Sequence, residues 1–74
     1  MAIVHTLKHQ ALERDSSHTE TECTYAVVRT AEGAFLQVDT YGSKARKEPG
    51  KKSQSIRFSP EAIEQLKRIF ASEL

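Results

Sequence analysis

The stretch that decides the fold reads TYAVVRTAEGAFLQVDTY and covers residues 24–41. Two runs rich in β-branched and aromatic residues flank Gly33, which is typical of two strands joined by a tight turn. The stretch therefore predicts a β-hairpin. Its register decides which side chains share a face, because a shift of one residue moves every side chain to the other face of the sheet.

Two registers of this hairpin differ in where they place Arg29. A two-residue loop at Glu32-Gly33 would put Arg29 on the face of Leu36, where we expect burial of a charge to be costly. A three-residue loop of residues 31–33, with Gly33 as the left-handed residue of a bulge, instead pairs Val28 with Leu36. We predict this second register. Its other face then carries aromatic, polar and cationic side chains: Tyr25, Val27, Arg29, Phe35, Gln37, Asp39 and Tyr41.

The chain beyond the hairpin predicts one more strand and a helix. Residues 53–58 alternate between apolar and polar side chains, as a half-buried strand does. Ser59-Pro60-Glu61 then supplies a hydroxyl N-cap, a proline for the first helical position and a carboxylate near the positive end of the helix dipole. Apolar residues recur at helical spacing up to about Ser72. The order of these elements predicts an α+β fold.

The first residues of the chain are not assigned by their pattern. Residues 3–12 fit a helix and a strand equally well, and residues 15–19 read as a polar linker. We therefore treat residues 1–22 as an N-terminal extension of unassigned structure and residues 23–74 as a sheet-plus-helix domain. Cys23 is the one cysteine of the chain, and its strand context predicts a small buried side chain.

Positive charge is concentrated between the hairpin and the last strand. Six of the eleven lysines and arginines lie within residues 44–57, with Glu48 as the acid among them, while the whole chain has a net charge of +1. Such a cluster attracts a polyanion even when the overall charge is close to neutral. A solvated loop that keeps a sheet edge soluble fits the same charge equally well.

Several classes of function lack their sequence features. No apolar run approaches the roughly 18 residues that cross a bilayer, and the first residues lack the features of a secretion signal, so we expect a cytoplasmic protein without membrane contact. His5, His9 and His18 have no second pair of ligands at metal-binding spacing, so we expect neither a metal nor a cofactor. No acid and histidine converge on a catalytic arrangement and no glycine-rich phosphate loop occurs, so we expect no enzyme.

The ordered set of hairpin, basic connection with Pro49-Gly50-Lys51-Lys52, short strand and Ser59-Pro60-Glu61 helix resembles a known domain. It is similar to the C-terminal single-stranded DNA-binding domain of the positive cofactor four family of transcriptional coactivators, over residues 24–72. The resemblance implies a curved antiparallel sheet of three to four strands followed by a C-terminal amphipathic helix, assembled as a homodimer. The chain departs from the family at residues 39–43, where the family has an Arg-Glu-Tyr-Trp-like run.

The predicted function is binding of single-stranded DNA or RNA with weak sequence preference, as an accessory factor in transcription or DNA processing. Such binding requires cations along the phosphates and flat side chains for the bases. The resemblance carries over Arg29 and the pair Lys51 and Lys52 as contacts. The alternative is a small dimeric protein-interaction module whose basic segment, residues 44–57, contacts an acidic protein partner. The predicted nucleic-acid-binding residues are Arg29, Phe35, Tyr41, Lys44, Arg46, Lys47, Lys51, Lys52 and Arg57.

Overall fold

A computed structural model describes residues 1–42 and 52–74, which form four strands and one helix. The elements are β1 (Ala2–Val4), β2 (Cys23–Thr30), β3 (Gly33–Thr40), β4 (Gln54–Phe58) and α1 (Pro60–Ser72). The strands form one sheet in the order β1-β4-β3-β2. Strands β2, β3 and β4 pair antiparallel, whereas β1 runs parallel to β4. The α+β fold is confirmed, and its sheet is mixed rather than wholly antiparallel.

Strand β1 comes from the N-terminal residues that the sequence pattern left unassigned. Ala2 pairs with Ile56 and Val4 with Phe58 at the edge of the sheet. The residues that follow β1 run beside the helix, because the amide of Leu7 donates to Gln65 Oε1 at 2.8 Å and Gln65 Nε2 donates to the Leu7 carbonyl at 3.3 Å. The start of the expected extension is therefore packed against the sheet and the helix.

The hairpin register differs from the predicted one by a single residue. Thr30 pairs with Gly33, so the loop consists of Ala31 and Glu32, and Leu36 pairs with Val27 instead of Val28. Gly33 does adopt a positive φ, of 129°, but as the first residue of β3 rather than in a bulge. The shift moves Tyr25, Val27 and Arg29 to the face opposite Phe35.

The prediction was wrong because its premise about Arg29 does not hold. We expected an arginine on the face of Leu36 to be buried, and for this reason we rejected the register with a Glu32-Gly33 loop. Strand β2 forms an edge of the sheet, and Arg29 on it is exposed to solvent. A charged side chain at an exposed edge keeps its hydration, so no desolvation cost arises.

The two faces of the sheet differ in what covers them. Helix α1 contacts strands β3 and β4. The face that carries Phe35, Gln37 and Arg57 holds two surface clefts, and neither has a helix residue among its described lining residues. We therefore place the helix on the other face, which carries Leu36 and Phe58. We call the first the open face and the second the helix face.

The helix begins as its sequence predicts. Ser59 Oγ accepts a hydrogen bond from the Ala62 amide at 3.2 Å, and Pro60 occupies the first helical position. The Ser59 amide donates to the Val4 carbonyl at 3.0 Å, so the same residue also links the helix to the edge strand β1. Ser59 and Ala62 have no solvent-exposed surface. This junction fixes where β4 ends and therefore where Arg57 lies.

Candidate nucleic-acid interface

Two neighbouring clefts occupy the open face. The first, which we call the polar cleft, has a volume of about 670 Å³ and includes Gln37, Lys52 and Ser55 in its lining. The second, which we call the turn cleft because Thr30, Ala31 and Glu32 line it, has a volume of about 340 Å³. Ile3 and Arg57 line both clefts, so they stand at the boundary between them.

A chain of hydrogen bonds crosses the floor of the open face from β4 to β3. Arg57 donates from Nε and Nη2 to Gln37 Oε1 at 3.2 and 2.5 Å. Gln37 Nε2 donates in turn to the two carboxylate oxygens of Asp39, at 3.3 and 3.0 Å. The register explains these contacts, since Gln37 pairs with Arg57 and Asp39 with Ser55 across the two strands. The amide of Gln37 thus holds the guanidinium in one orientation.

Asp39 anchors the other end of this chain. Its side chain is nearly buried, with 6% of its surface exposed, and Lys52 Nζ lies 3.2 Å from Oδ2. Hydrogen bonds from Ser55 and Gln37, followed by the bond and charge of Lys52, hold the pKa of the Asp39 carboxyl below its ordinary value of 3.8. Asp39 is therefore ionised at neutral pH and compensates the charge of Lys52.

Arg57 differs from Lys52 in the charge of its partner. Among the residues that the structure describes, its side-chain hydrogen bonds go to the neutral amide of Gln37. A guanidinium carries N–H donors on three nitrogens, and Nη1 is not engaged in these bonds. The arrangement leaves a positioned cation with donors to offer at the boundary of the two clefts.

The predicted binding residues fall into three groups. Lys52 and Arg57 lie together on the open face. Tyr41 is half-buried just beyond β3, and its hydroxyl is 2.8 Å from Thr24 Oγ1 on the same face. Arg29 is exposed on the helix face, so it does not join them. Lys44, Arg46, Lys47 and Lys51 lie outside the described residues.

Phe35 corrects one expectation about the site. We expected its ring to serve as an exposed stacking surface, but only 7% of the residue is accessible. It lies on the open face beside Val28, its partner on β2, and lines the turn cleft. Its ring therefore belongs to the packed floor of the sheet and offers little area to a base. Cys23 corrects another expectation, because it is exposed rather than buried.

Two functional residues were missed by the sequence analysis as members of the site. Gln37 was recognised as a face residue without a role, and Ser55 was assigned no role. Each lies two residues before a charged residue of its strand, Asp39 or Arg57. The residue between them is apolar in both strands. Polar side chains at such positions indicate a face that is hydrogen-bonded rather than covered, and this was the available signal.

The basic segment joins the open face at one end of the sheet. Thr40 and Gln54 pair where β3 ends and β4 begins, and Lys52, just before β4, lines the polar cleft. The connection between these two strands is the part of the sequence that contains Lys44, Arg46, Lys47 and Lys51. Lys52 is the last cation of this connection, and it lies at the polar cleft.

Comparisons with protein-family models, with curated proteins and with solved structures gave no match. The parallel pairing of β1 also departs from the wholly antiparallel sheet that the resemblance implied. Over residues 1–42 and 52–74, no helix has the length and apolar character needed to cross a bilayer. In the same ranges, no three His, Cys, Asp or Glu side chains are grouped as metal ligands.

Proposed function

We propose that the protein binds single-stranded nucleic acid across the open face of its sheet. The observation that carries this proposal is the placement of Arg57, which is oriented by Gln37 between two clefts of the open face. A guanidinium held in this way is suited to a phosphate, because its Nη1 donors are not used by Gln37 and no acid among the described residues forms an ion pair with it. The orienting bonds also reduce the entropy lost when a ligand binds.

The surroundings of Arg57 fit the remaining parts of a nucleotide. The polar cleft offers the hydroxyl oxygen of Ser55 as an acceptor for a sugar hydroxyl, since the Ser55 proton is used by Asp39. The turn cleft offers the side chain of Ile3, which is 58% exposed, as apolar surface for a base. Tyr41 is the aromatic ring of the predicted set that retains partial exposure on this side of the sheet. Contacts of this kind favour unpaired nucleotides over a duplex, whose bases are already stacked.

The basic segment supports a polyanionic ligand through charge alone. Most of its cations belong to the connection between β3 and β4. The last of them, Lys52, lines the polar cleft. Contacts to phosphates position a nucleic acid without reading its sequence. We therefore expect weak sequence preference, in DNA or in RNA, and a role as an accessory factor rather than as a site-specific regulator.

The experiment is a titration of a fluorescently labelled oligonucleotide, monitored by anisotropy at two salt concentrations. We expect the single strand to bind more tightly than the matching duplex, and the affinity to fall as salt rises. Arg57→Gln should weaken binding about tenfold and reduce the slope against log salt by about 0.7. Arg68→Gln is the matched control, since it removes the same charge from an exposed position on the helix.

Two results would count against the proposal. The absence of binding at low salt would favour the protein-interaction module, in which the basic segment contacts an acidic protein partner. An equal loss of affinity in Arg57→Gln and Arg68→Gln would show that net charge, and not the open face, determines binding.

A further inference from the structure

The turn cleft carries one positive and one negative side chain among its lining residues. Arg57 lies at its boundary with the polar cleft, and Glu32 lines it from the loop of the β2–β3 hairpin. No ion pair joins these two residues in the part of the chain that the structure describes. A carboxylate beside a surface that binds a polyanion repels the phosphates. The position of Glu32 is therefore favourable only if its carboxylate contacts another part of the ligand.

Hydrogen bonds within the hairpin loop fix the backbone of Glu32. Its amide donates to Thr30 Oγ1 at 3.1 Å, and Thr30 Oγ1 donates to the Gly33 carbonyl at 3.3 Å. The Thr30 hydroxyl thus uses its proton inside the loop. The side-chain donors that line the cleft therefore belong to Arg57, and the Glu32 carboxylate supplies the charged acceptor.

The surface of the turn cleft between these two charges is largely apolar. Ile3 and Ala31 are exposed where they line it, and Phe35 belongs to its packed floor. The cleft volume of about 340 Å³ is near the lower limit of small-molecule sites, which span about 300–1,000 Å³. This space suits one base with its sugar rather than several nucleotides. The cleft thus matches a single nucleotide with its phosphate on Arg57 and its base edge toward Glu32.

The turn cleft lies at the opposite end of the sheet from the basic connection. It is next to the pair of Thr30 and Gly33, whereas the chain leaves β3 and enters β4 where Thr40 pairs with Gln54. The two ends of β3 are roughly 23 Å apart at about 3.3 Å per residue. A contact to a base in the turn cleft therefore acts separately from the charge of that connection.

An ionised carboxylate distinguishes bases by the donors on their Watson–Crick edges, which are free in a single strand. Guanine presents N1–H and an amino N–H side by side, so it donates two parallel bonds to the two carboxylate oxygens. Adenine and cytosine each present one amino group beside a ring nitrogen that is itself an acceptor. Thymine and uracil present one N–H between two carbonyl oxygens, which the carboxylate repels. Guanine is therefore the base that best fits a carboxylate.

We propose that the turn cleft holds one unpaired guanine, with its Watson–Crick edge on the Glu32 carboxylate and its phosphate on Arg57. The proposal rests on the proposed binding of single-stranded nucleic acid, and it adds a preference at one nucleotide. Phosphate contacts at the other nucleotides remain independent of sequence. At an exposed carboxylate we expect a factor of about ten in affinity, in the lower part of the range for bidentate contacts to bases.

Anisotropy titrations with three labelled strands at low salt test the preference. One strand contains thymidine alone, one has a single central guanosine, and one has a single central inosine, which lacks the amino group of guanine but keeps N1–H. The guanosine strand should bind about tenfold more tightly than the thymidine strand, with the inosine strand between them. Equal affinities for the three strands would overturn the guanine site and leave the proposed nucleic-acid binding intact. The absence of binding to every strand would refute both.

Substitutions of Glu32 test whether its carboxylate contacts the base. Glu32→Ala should reduce the affinity for the guanosine strand to that for the thymidine strand, and Glu32→Gln, which keeps one acceptor, should retain a preference of about threefold. Glu20→Ala is the matched control, since it removes the same charge from an exposed residue before the other end of β2 and should keep the tenfold preference.

The variants also separate the contact to the base from the effect of charge. Glu32→Ala and Glu20→Ala should each bind the thymidine strand at least as tightly as the unmodified chain does, because each removes a negative charge. A full preference for guanosine in Glu32→Ala, with an unchanged far-ultraviolet circular dichroism spectrum, would overturn the proposal. So would the same loss of preference in Glu20→Ala.

Discussion

Replacing Ser59 by alanine tests the junction on which the position of the open face depends. The hydroxyl of Ser59 accepts the hydrogen bond of the Ala62 amide, and Ala62 has no exposed surface through which water could take its place. Loss of an N-cap hydroxyl costs about 0.5–2 kcal/mol. An unsatisfied buried donor costs about 1–3 kcal/mol. These two figures describe the same lost bond, and we expect Ser59→Ala to lower the free energy of unfolding by about 2 kcal/mol.

That loss is large for a domain of this size. For 60–100 residues, 1 kcal/mol corresponds to a shift of about 4–8 °C in the melting temperature, so we expect a decrease of roughly 10 °C. Urea denaturation measures the free energy of unfolding and thermal denaturation the melting temperature, both at fixed protein concentration, since any association makes the apparent stability depend on concentration. Ser72→Ala is the matched control, because Ser72 lies in the same helix, is exposed, and should change stability by less than about 0.5 kcal/mol. Equal, small losses in the two variants would refute the reasoning about the buried cap.

Two further outcomes follow from the backbone and from the buried carboxylate. Gly33→Ala should lower the free energy of unfolding, measured in urea, by about 1–3 kcal/mol, because Gly33 has a φ of 129° and a Cβ there would lie 3.0 Å from Pro60 Cγ. Adding Pro60→Ala should restore the part of the loss that is due to this contact. Complete recovery in the double variant would contradict backbone strain at Gly33. Asp39 has a pKa below 3.8 in the folded protein, so it stabilises the fold above that pH and loses its contribution as pH falls through the lower, folded value. The stability difference between the unmodified chain and Asp39→Asn should therefore be constant from pH 7 to about pH 5 and shrink at lower pH, and a difference that grows on acidification would contradict the ion-pair geometry.

The local elements of the fold could be predicted because each depends on short-range chemistry. The hairpin, the strand at residues 54–58 and the helix with its Ser59 cap all have signals within a few residues of one another. Strand β1 could not be predicted in this way. Its three residues are too few for a periodicity, and its pairing with β4 is set by residues far away in the sequence.

The register failed for a different reason, and the site changed with it. We inferred the faces of β2 from the cost of burying Arg29, which depends on whether the helix reaches that strand. This is a property of the packed layers and not of the hairpin. Once the register shifts, Arg29 leaves the predicted site and Phe35 becomes part of the floor, while Arg57 and Lys52 remain together because both belong to β4 or the residues just before it.

The parallel pairing of β1 with β4 constrains the order in which the chain can fold. Strand β1 is translated before the hairpin, but its partner residues Ile56 and Phe58 are translated after the hairpin. The β2–β3 hairpin can form in the meantime, because its pairing is local, whereas β1 must wait while a long loop closes. We therefore expect β1 to dock last, so that a nascent chain stalled before residue 54 would expose residues 2–4 to proteases after the hairpin is already protected.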